Sequence, residues 1–257
     1  MRRHRPHDSD VQILNLGEVN MQTLISQSSG GQHSGQGSTA TDFFLQIREN
    51  ENQTRKGDLS VADCYVHFRP APQSDMIVGL GFLQGLSGLT IDVPQKKNAF
   101  DIQYWFFYPY NGDIVPGAVK GGEHEGDWEH ITVRTSRGFQ NIMEVFYSRH
   151  DFEGVWLQPG EFSVNSEGRP IVFSAINSHA SYATPGRQER PVPLPDRTQD
   201  GGPRWETWKN IKAVGEINNP IGGQFWIRYT GRWGEIGPFS SGPFGPAFQG
   251  KWEADLL

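Results

Sequence analysis

Four short runs rich in β-branched and aromatic residues, at 102–108, 129–135, 142–148 and 171–176, follow one another at the spacing of a sheet meander, each bounded by Gly, Pro, Asn or Ser. A fifth run, at 62–68, stands ahead of them. Strands this short need a turn after every few residues, and the 31 glycines and 17 prolines provide turns while disfavouring helix interiors. The expectation is an all-β fold: a single-domain antiparallel β-sandwich with long loops and little helix. At 257 residues the chain is long enough to give such a sandwich a real apolar core.

Residues 1–40 read as a largely flexible segment, in which Val11, Ile13, Leu14, Leu16 and Val19 can supply a first strand before a Gly-, Ser- and Gln-rich stretch at 27–40. Residues 41–257 form the sandwich, with a further strand at 43–47 and a proline-rich surface loop at 187–203. The closing stretch, 225–257, spaces its rings with Gly and Pro. It reads as one strand and then an extended wrap that buries those rings, while Trp105, Phe107, Trp128 and Trp233 read as packing residues.

A net charge of -6 and a pI near 5.7 provide no basic field for phosphates, so no nucleic-acid partner is expected; an acidic chain does suit a cation. The single cysteine, Cys64, excludes an internal disulfide and a thiolate zinc cage, and strand alternation makes it a small packed residue. No apolar stretch follows the first arginines, so a secretory signal is not visible and a cytoplasmic or peripheral-membrane address is favoured. The most apolar stretch, 76–93, is broken by four glycines, Gln84 and Asp92, so no transmembrane segment is expected. It reads as a buried strand and loop or a short helix over the core, with a dip into a membrane interface as the alternative.

The decapeptide Gly121-Gly122-Glu123-His124-Glu125-Gly126-Asp127-Trp128-Glu129-His130 carries the chemistry. Its glycines permit tight positive-φ turns, so side chains a few positions apart can converge. Once the chain extends, Asp127 and Glu129 share one face while Trp128 and His130 take the other. His124, Asp127 and Glu129 then make a mixed nitrogen and oxygen set for a divalent cation, with Ca or Mg favoured and Mn or Zn as alternatives. Asn111 and Asp113, just upstream, can add an oxygen. The competing reading is that these groups only hydrogen-bond within a glycine-rich loop. His150 and His179 each follow a strand, where functional side chains are often carried, and Tyr104 and Tyr108 can line the same pocket.

The aromatic strand at 101–112, the segment H-E-G-D-W-E-H at 124–130, Arg169-Pro170-Ile171-Val172, Ser178-His179-Ala180-Ser181-Tyr182 and Gly231-Arg232-Trp233-Gly234 together resemble the vacuolar protein sorting-associated protein 62 family. The heptapeptide is also similar, more distantly, to the G-H-R-H-D-W-E motif of necrosis-inducing (NEP1-like) cytolysins. That resemblance implies an actinoporin-like β-sandwich and a cation held at a membrane-facing rim by His124, Asp127 and Glu129. The upstream aspartate of that family corresponds to Asn111 or Asp113. Glu125-Gly126 replaces Arg-His of the cytolysin motif, and the cytolysins' signal peptide and disulfide cysteines have no counterpart visible here.

Two functions are carried forward. The first is a noncatalytic module that binds an anionic or sugar-bearing membrane-lipid headgroup through the cation. The second is a metal-dependent hydrolase, or another metal-dependent enzyme, in which the same site activates water while His150 or His179 moves protons. Nucleophile-elbow, phosphate-loop and zinc-helix motifs are absent from the sequence, so the first is preferred.

Overall fold

The computed structural model describes residues 56–71, 99–112, 122–150, 153–190, 194–234, 240–253 and 255. The anticipated strands at 11–24 and 43–47, the stretch 27–40, residues 76–93 and Asp113 lie outside the described residues.

The main sheet is built from β1 (Cys64–Pro70), β2 (Phe100–Asn111), β3 (His124–Thr135), β4 (Ile142–Arg149), β5 (Glu153–Leu157) and β10 (Ile211–Val214), in the order β10-β1-β2-β3-β4-β5. Strands β1 to β4 arise from four of the anticipated runs, β3 starting at His124 rather than at Glu129, and pair antiparallel in sequence order. The fifth strand of the meander is the unanticipated β5, while the run anticipated at 171–176 yields only the two-residue β6, outside the main sheet. At the edge β10 pairs parallel with β1, Cys64 lying opposite Ile211. Two hairpins, β6 (Phe173–Ser174) with β7 (Ser181–Tyr182) and β8 (Gly186–Gln188) with β9 (Asp196–Thr198), lie in the long region between β5 and β10. The all-β sandwich with long loops is thus the fold. The stretch read as a surface loop at 187–203 contributes β9 and most of β8. The strand anticipated after 225 is instead a 3-10 turn, Phe225–Arg228, leading into the wrap.

Alternation assigns the two faces. Cys64, Val66, Phe106, Ile131, Val133, Val145 and Tyr147 form one core, covered by Phe162, Val172, Ala183 and Trp205 from the region after β5. Burial pushes the Cys64 thiol up to about 12, so it is a packing group and not a nucleophile. On the opposite face Trp105 and Trp128 pack with Val214, Ile227 and Trp252, the last two supplied by the wrap. Each fully buried ring or branched chain contributes roughly 1.5–3 kcal/mol, so the C-terminal rings are a substantial part of the stability.

That second face also holds buried charge. Arg134 donates to both oxygens of Asp101 at 2.7 and 2.9 Å and to Glu144 at 2.6 Å. Arg69 reaches Asp255 at 2.8 Å and also donates to the carbonyls of Lys251 and Trp252. His130 meets Asp255 at 2.6 Å, Gln103 donates to the Lys251 carbonyl at 2.7 Å, and Trp252 stacks on His67 at 3.6 Å. Burial pushes the His130 imidazole below its ordinary range against the pull of Asp255. For Asp255 burial acts upward, yet the His130 ring and the Arg69 guanidinium hold its carboxyl below the usual value. The C-terminal segment is therefore fixed by apolar contact and by a closed lattice of charge-assisted hydrogen bonds.

Candidate functional site

The site begins where β2 ends and β3 starts. Antiparallel register sets Asn111 opposite His124 and Tyr108 opposite Asp127. Between them Gly126 sits at φ +65°, and a Cβ there would fall 1.6 Å from the Trp233 carbonyl oxygen. Gly234 approaches the Glu125 carbonyl equally closely, its would-be Cβ falling 1.7 Å from that oxygen. Only glycine meets both demands at 126, which is why the G-D-W segment and the distant G-R-W-G segment form one unit.

His124 is held by its neighbours. Its Nδ1 lies 2.7 Å from the Gly126 carbonyl oxygen, a contact in which the ring must donate. Nε2 is then the lone-pair nitrogen, and it accepts from the Asn111 amide at 3.1 Å.

Asp127 takes a different partner. It accepts from His179 Nδ1 at 3.0 Å, and the His179 ring lies flat on Tyr108, with centroids 4.0 Å apart and planes 2° from parallel. Asp127 is buried, whereas the His179 side chain keeps 19% of its surface exposed. Burial, with the nearby Glu129 and Asp127 carboxylates, pushes the Tyr108 phenol up, against a hydrogen bond to Ser174, so it stays protonated. Glu129 is buried on this same side of β3, two positions from Asp127.

The loop that delivers His179 is bent for the purpose. Asn177 and His179 both adopt left-handed φ, 72° and 58°, in the turn between β6 and β7. Such backbone costs of order 1–3 kcal/mol per non-glycine residue and concentrates at functional sites. The turn is tied to the end of β2, since the Gly112 N–H donates to the Asn177 carbonyl at 3.2 Å.

His150, also left-handed at φ 51°, lies just past β4 and donates to Asp196 at 2.7 Å. Asp196 further accepts from the Tyr182 hydroxyl at 2.7 Å and the Ser178 hydroxyl at 3.1 Å. Burial raises the Asp196 carboxyl, but the hydrogen bonds from His150 and Tyr182, followed by the positive charge nearby, outweigh it and hold the group below its ordinary range. Ser178 precedes His179, so one short loop joins the two imidazole–carboxylate pairs.

The anticipated residues therefore fall into three places. Asp127, Tyr108 and His179 meet directly; His124 and Asn111 pair at the adjoining strand ends; His150 connects through Asp196 and Ser178. Tyr104 packs into the apolar core beside Val66 and Ile131. No three of the His, Cys, Asp and Glu side chains among the described residues are grouped to hold a metal ion. Ser178 and Tyr182 stood inside a segment singled out from the sequence, but Asp196 carried no local signal there. It comes from the proline-rich stretch, where only the tertiary pairing marks it.

The family described as vacuolar protein sorting-associated protein 62 matches residues 93–235. Vacuolar protein sorting-associated protein 62 of Saccharomyces cerevisiae is 33% identical over 170 residues, covering 56% of this chain and 36% of that protein. The putative vacuolar protein sorting-associated protein TDA6 of the same yeast is 29% identical over 188 residues, 61% of this chain and 40% of that one. The chain thus spans well under half the length of these curated relatives. Two solved structures, titled "Toxin fold for microbial attack and plant defense" and "NLPPya in complex with glucosamine", align with TM-scores of 0.40 and 0.39. Each is 15% identical and covers 78% of this chain and 70% of the other.

Proposed function

This chain belongs to the vacuolar protein sorting-associated protein 62 family, and we propose that it is a noncatalytic binding module whose β2–β3 rim captures an anionic or sugar-bearing membrane-lipid headgroup with the help of a divalent cation. The observation that carries this reading is the state of His124. Its Nδ1–H is committed to the Gly126 carbonyl, leaving Nε2 as the electron-pair donor, which is the form and the supporting contact of a metal-binding imidazole. The Asn111 side chain that faces Nε2 carries an amide oxygen as well as the donating nitrogen.

The donor types would suit a hard ion. No three of the described His, Cys, Asp and Glu side chains are grouped around one point, so binding would have to draw His124, paired with Asn111, and Asp127, paired with His179, together. Asp127, Glu129 and the sequence neighbour Asp113 would supply carboxylates, Asn111 an amide oxygen and His124 its Nε2, a set that favours calcium or magnesium over zinc and leaves manganese as a further candidate. When bound, the ion would bridge to anionic or hydroxyl oxygens of the headgroup. Beside it His179, stacked on Tyr108 and oriented by Asp127, keeps part of its imidazole exposed, where it would meet a headgroup hydroxyl or phosphate oxygen. The yeast relative's name associates that protein with vacuolar sorting, which agrees with a membrane ligand.

Flotation with vesicles carrying anionic or glycosylated lipids tests the reading. Binding should disappear on chelation and in His124→Ala, and bound-metal analysis should find a cation in the wild type. Binding absent from every composition, or indifferent to both chelation and His124→Ala, overturns it.

A second reading, a metal-dependent hydrolase, is favoured by the two histidine–carboxylate pairs, His150–Asp196 and His179–Asp127, each arranged as a base with its orienting acid. It predicts loss of intact lipid from the vesicles by mass spectrometry, abolished in His179→Gln and His150→Gln.

A further inference from the structure

Arg149 closes β4 and Arg190 lies just past β8, and both side chains reach Tyr182 of β7 or the carboxylate that Tyr182 holds. The Arg149 guanidinium lies over the Tyr182 ring, 4.8 Å from its centroid. Arg190 Nη1 stands 3.4 Å from Asp196, to which the Tyr182 hydroxyl also donates. Neither side chain is fully enclosed: that of Arg190 keeps 13% of its surface exposed, and Arg149 is half-buried.

A guanidinium carries five N–H donors and no acceptor. Among the described residues Arg149 donates no hydrogen bond, and Arg190 donates one, at the long end of the range. The Nε–H of each is enclosed by protein without an acceptor. Arg69 and Arg134 on the opposite face behave otherwise. Arg69 donates to Asp101 and Asp255, and Arg134 to Asp101 and Glu144. A partly buried donor left unmet is costly, so the first two arginines are built for an acceptor that the chain itself does not provide.

Asp196 is not that acceptor. Its Oδ2 accepts from His150 and Tyr182, each at 2.7 Å, and its Oδ1 from Ser178 at 3.1 Å, which leaves Arg190 as its longest contact. Glu189 is taken by Arg187 at 2.6 Å, and strand register sets Glu153 opposite Arg149 and Arg187 opposite Arg197. Net charge around this corner is therefore close to balanced. Unmet donors, rather than an excess of positive charge, set Arg149 and Arg190 apart.

We propose that Arg149 and Arg190 bind a phosphomonoester group. Two guanidiniums supply two positive charges and planar forks that grip oxyanion oxygens in pairs. A phosphomonoester carries a charge of about -1.5 to -2 at pH 7 and three acceptor oxygens, a closer match to two arginines than a singly charged carboxylate. Free phosphate and the headgroup of phosphatidic acid both present this chemistry. The site adjoins the rim, since Ser178 on Asp196 directly precedes His179, but it needs no cation there.

Calorimetric titration of inorganic phosphate into the full chain, freed of divalent ions on a chelating resin, tests the site with the rim taking no part. Saturable binding is expected, and phosphate should raise the Tm as any native-state ligand does. Arg149→Gln and Arg190→Gln should each weaken binding by about tenfold or more. Arg197→Gln removes the same charge one position from Asp196 and should change it by about twofold or less. Should Arg149→Gln lose its cooperative thermal transition, Arg149→Lys, which keeps the charge and loses the fork, and Arg190→Gln carry the test. Flotation with phosphatidylcholine vesicles containing phosphatidic acid or phosphatidylserine then separates the sources. Flotation on phosphatidic acid alone, lost in Arg190→Gln, assigns a lipid headgroup; phosphate binding without flotation assigns a soluble phosphate.

Three results would overturn the proposal: no saturable phosphate binding by the wild type, wild-type affinity in the folded Arg149 and Arg190 variants, or a loss in Arg197→Gln as large as theirs. The last would reduce the binding to unspecific attraction by surface charge.

Discussion

The C-terminal face and the rim use the same chemistry, imidazoles and cations against carboxylates, under opposite conditions. On the C-terminal face Asp101, Arg134, Glu144 and His130, all on strands, and Asp255 from the C-terminal segment are buried, and they answer one another with Arg69 linking Asp101 to Asp255. At the rim Asp127 and Asp196 are buried, but their imidazole partners His179 and His150 are partly exposed and stand on left-handed backbone. The first arrangement spends its polar groups on itself. The second keeps one side of each pair available to a ligand, so exposure and backbone conformation separate lock from site more clearly than residue type does.

The strongest way to break this comparison is to open the lock. Arg134→Met strands Asp101 and Glu144 without their shared cation, and should cost about 3–5 kcal/mol in urea unfolding, as for other broken buried pairs. A cost below about 1 kcal/mol would erase the contrast between the two regions.

Gly126→Ala comes next. It places a Cβ against the Trp233 carbonyl and forces alanine to φ +65°, with an expected loss of order 1–3 kcal/mol from the backbone alone. Thermal unfolding should show it, and the His124 contacts should loosen with it, seen as altered imidazole resonances by NMR.

A smaller effect follows from acid. The His130 imidazole is pushed down from its ordinary value of 6.5, so on acidification the unfolded chain takes up the proton before the folded one does. Stability should therefore fall as pH drops below 6.5 toward the depressed value, by about 1.4 kcal/mol for each pH unit crossed inside that window. Chemical unfolding at pH 7 and pH 5 measures the slope, and His130→Gln should flatten it. The depressed Asp196 and Asp255 carboxyls act in a lower window: their contribution is complete above about 3.8 and is lost as pH falls through their lowered values.

The smallest change in stability should come from the rim itself. His179→Gln, at a partly exposed position, should alter unfolding free energy by less than about 1 kcal/mol while weakening headgroup binding in the flotation assay. A stability loss as large as that of Arg134→Met would make His179 a structural latch.

Much of the rim was readable from the heptapeptide because it rests on local rules. Asp127 and Glu129 lie on one face of β3 and Trp128 and His130 on the other because strand alternation has period two. The placing of His150 and His179 just past strands held for the same local reason. The pairing of Asp127 with His179, 52 positions away, depends on a turn packing against the end of β2, and nothing near either residue encodes that distance.

The buried lattice was less legible still. Arg69, Asp101, Gln103, Arg134 and Glu144 occupy alternate positions along their strands, a pattern that taken alone reads as a solvent-facing side. They are interior because the last residues of the chain return over that face and bring Asp255 and Trp252 with them. The parallel edge strand β10 escaped for a related reason, since four residues of mixed exposure carry no period long enough to recognise.

By itself the sequence determined the class of fold, the first four strands of the meander and the two faces of the Glu129 strand, because turn propensity and side-chain alternation act over a few residues. The tertiary structure alone decided which carboxylate each histidine meets, and which polar stripe is interior. Those outcomes depend on residues as far as 52 and 186 positions apart being brought together by packing, and no local preference carries information over that distance.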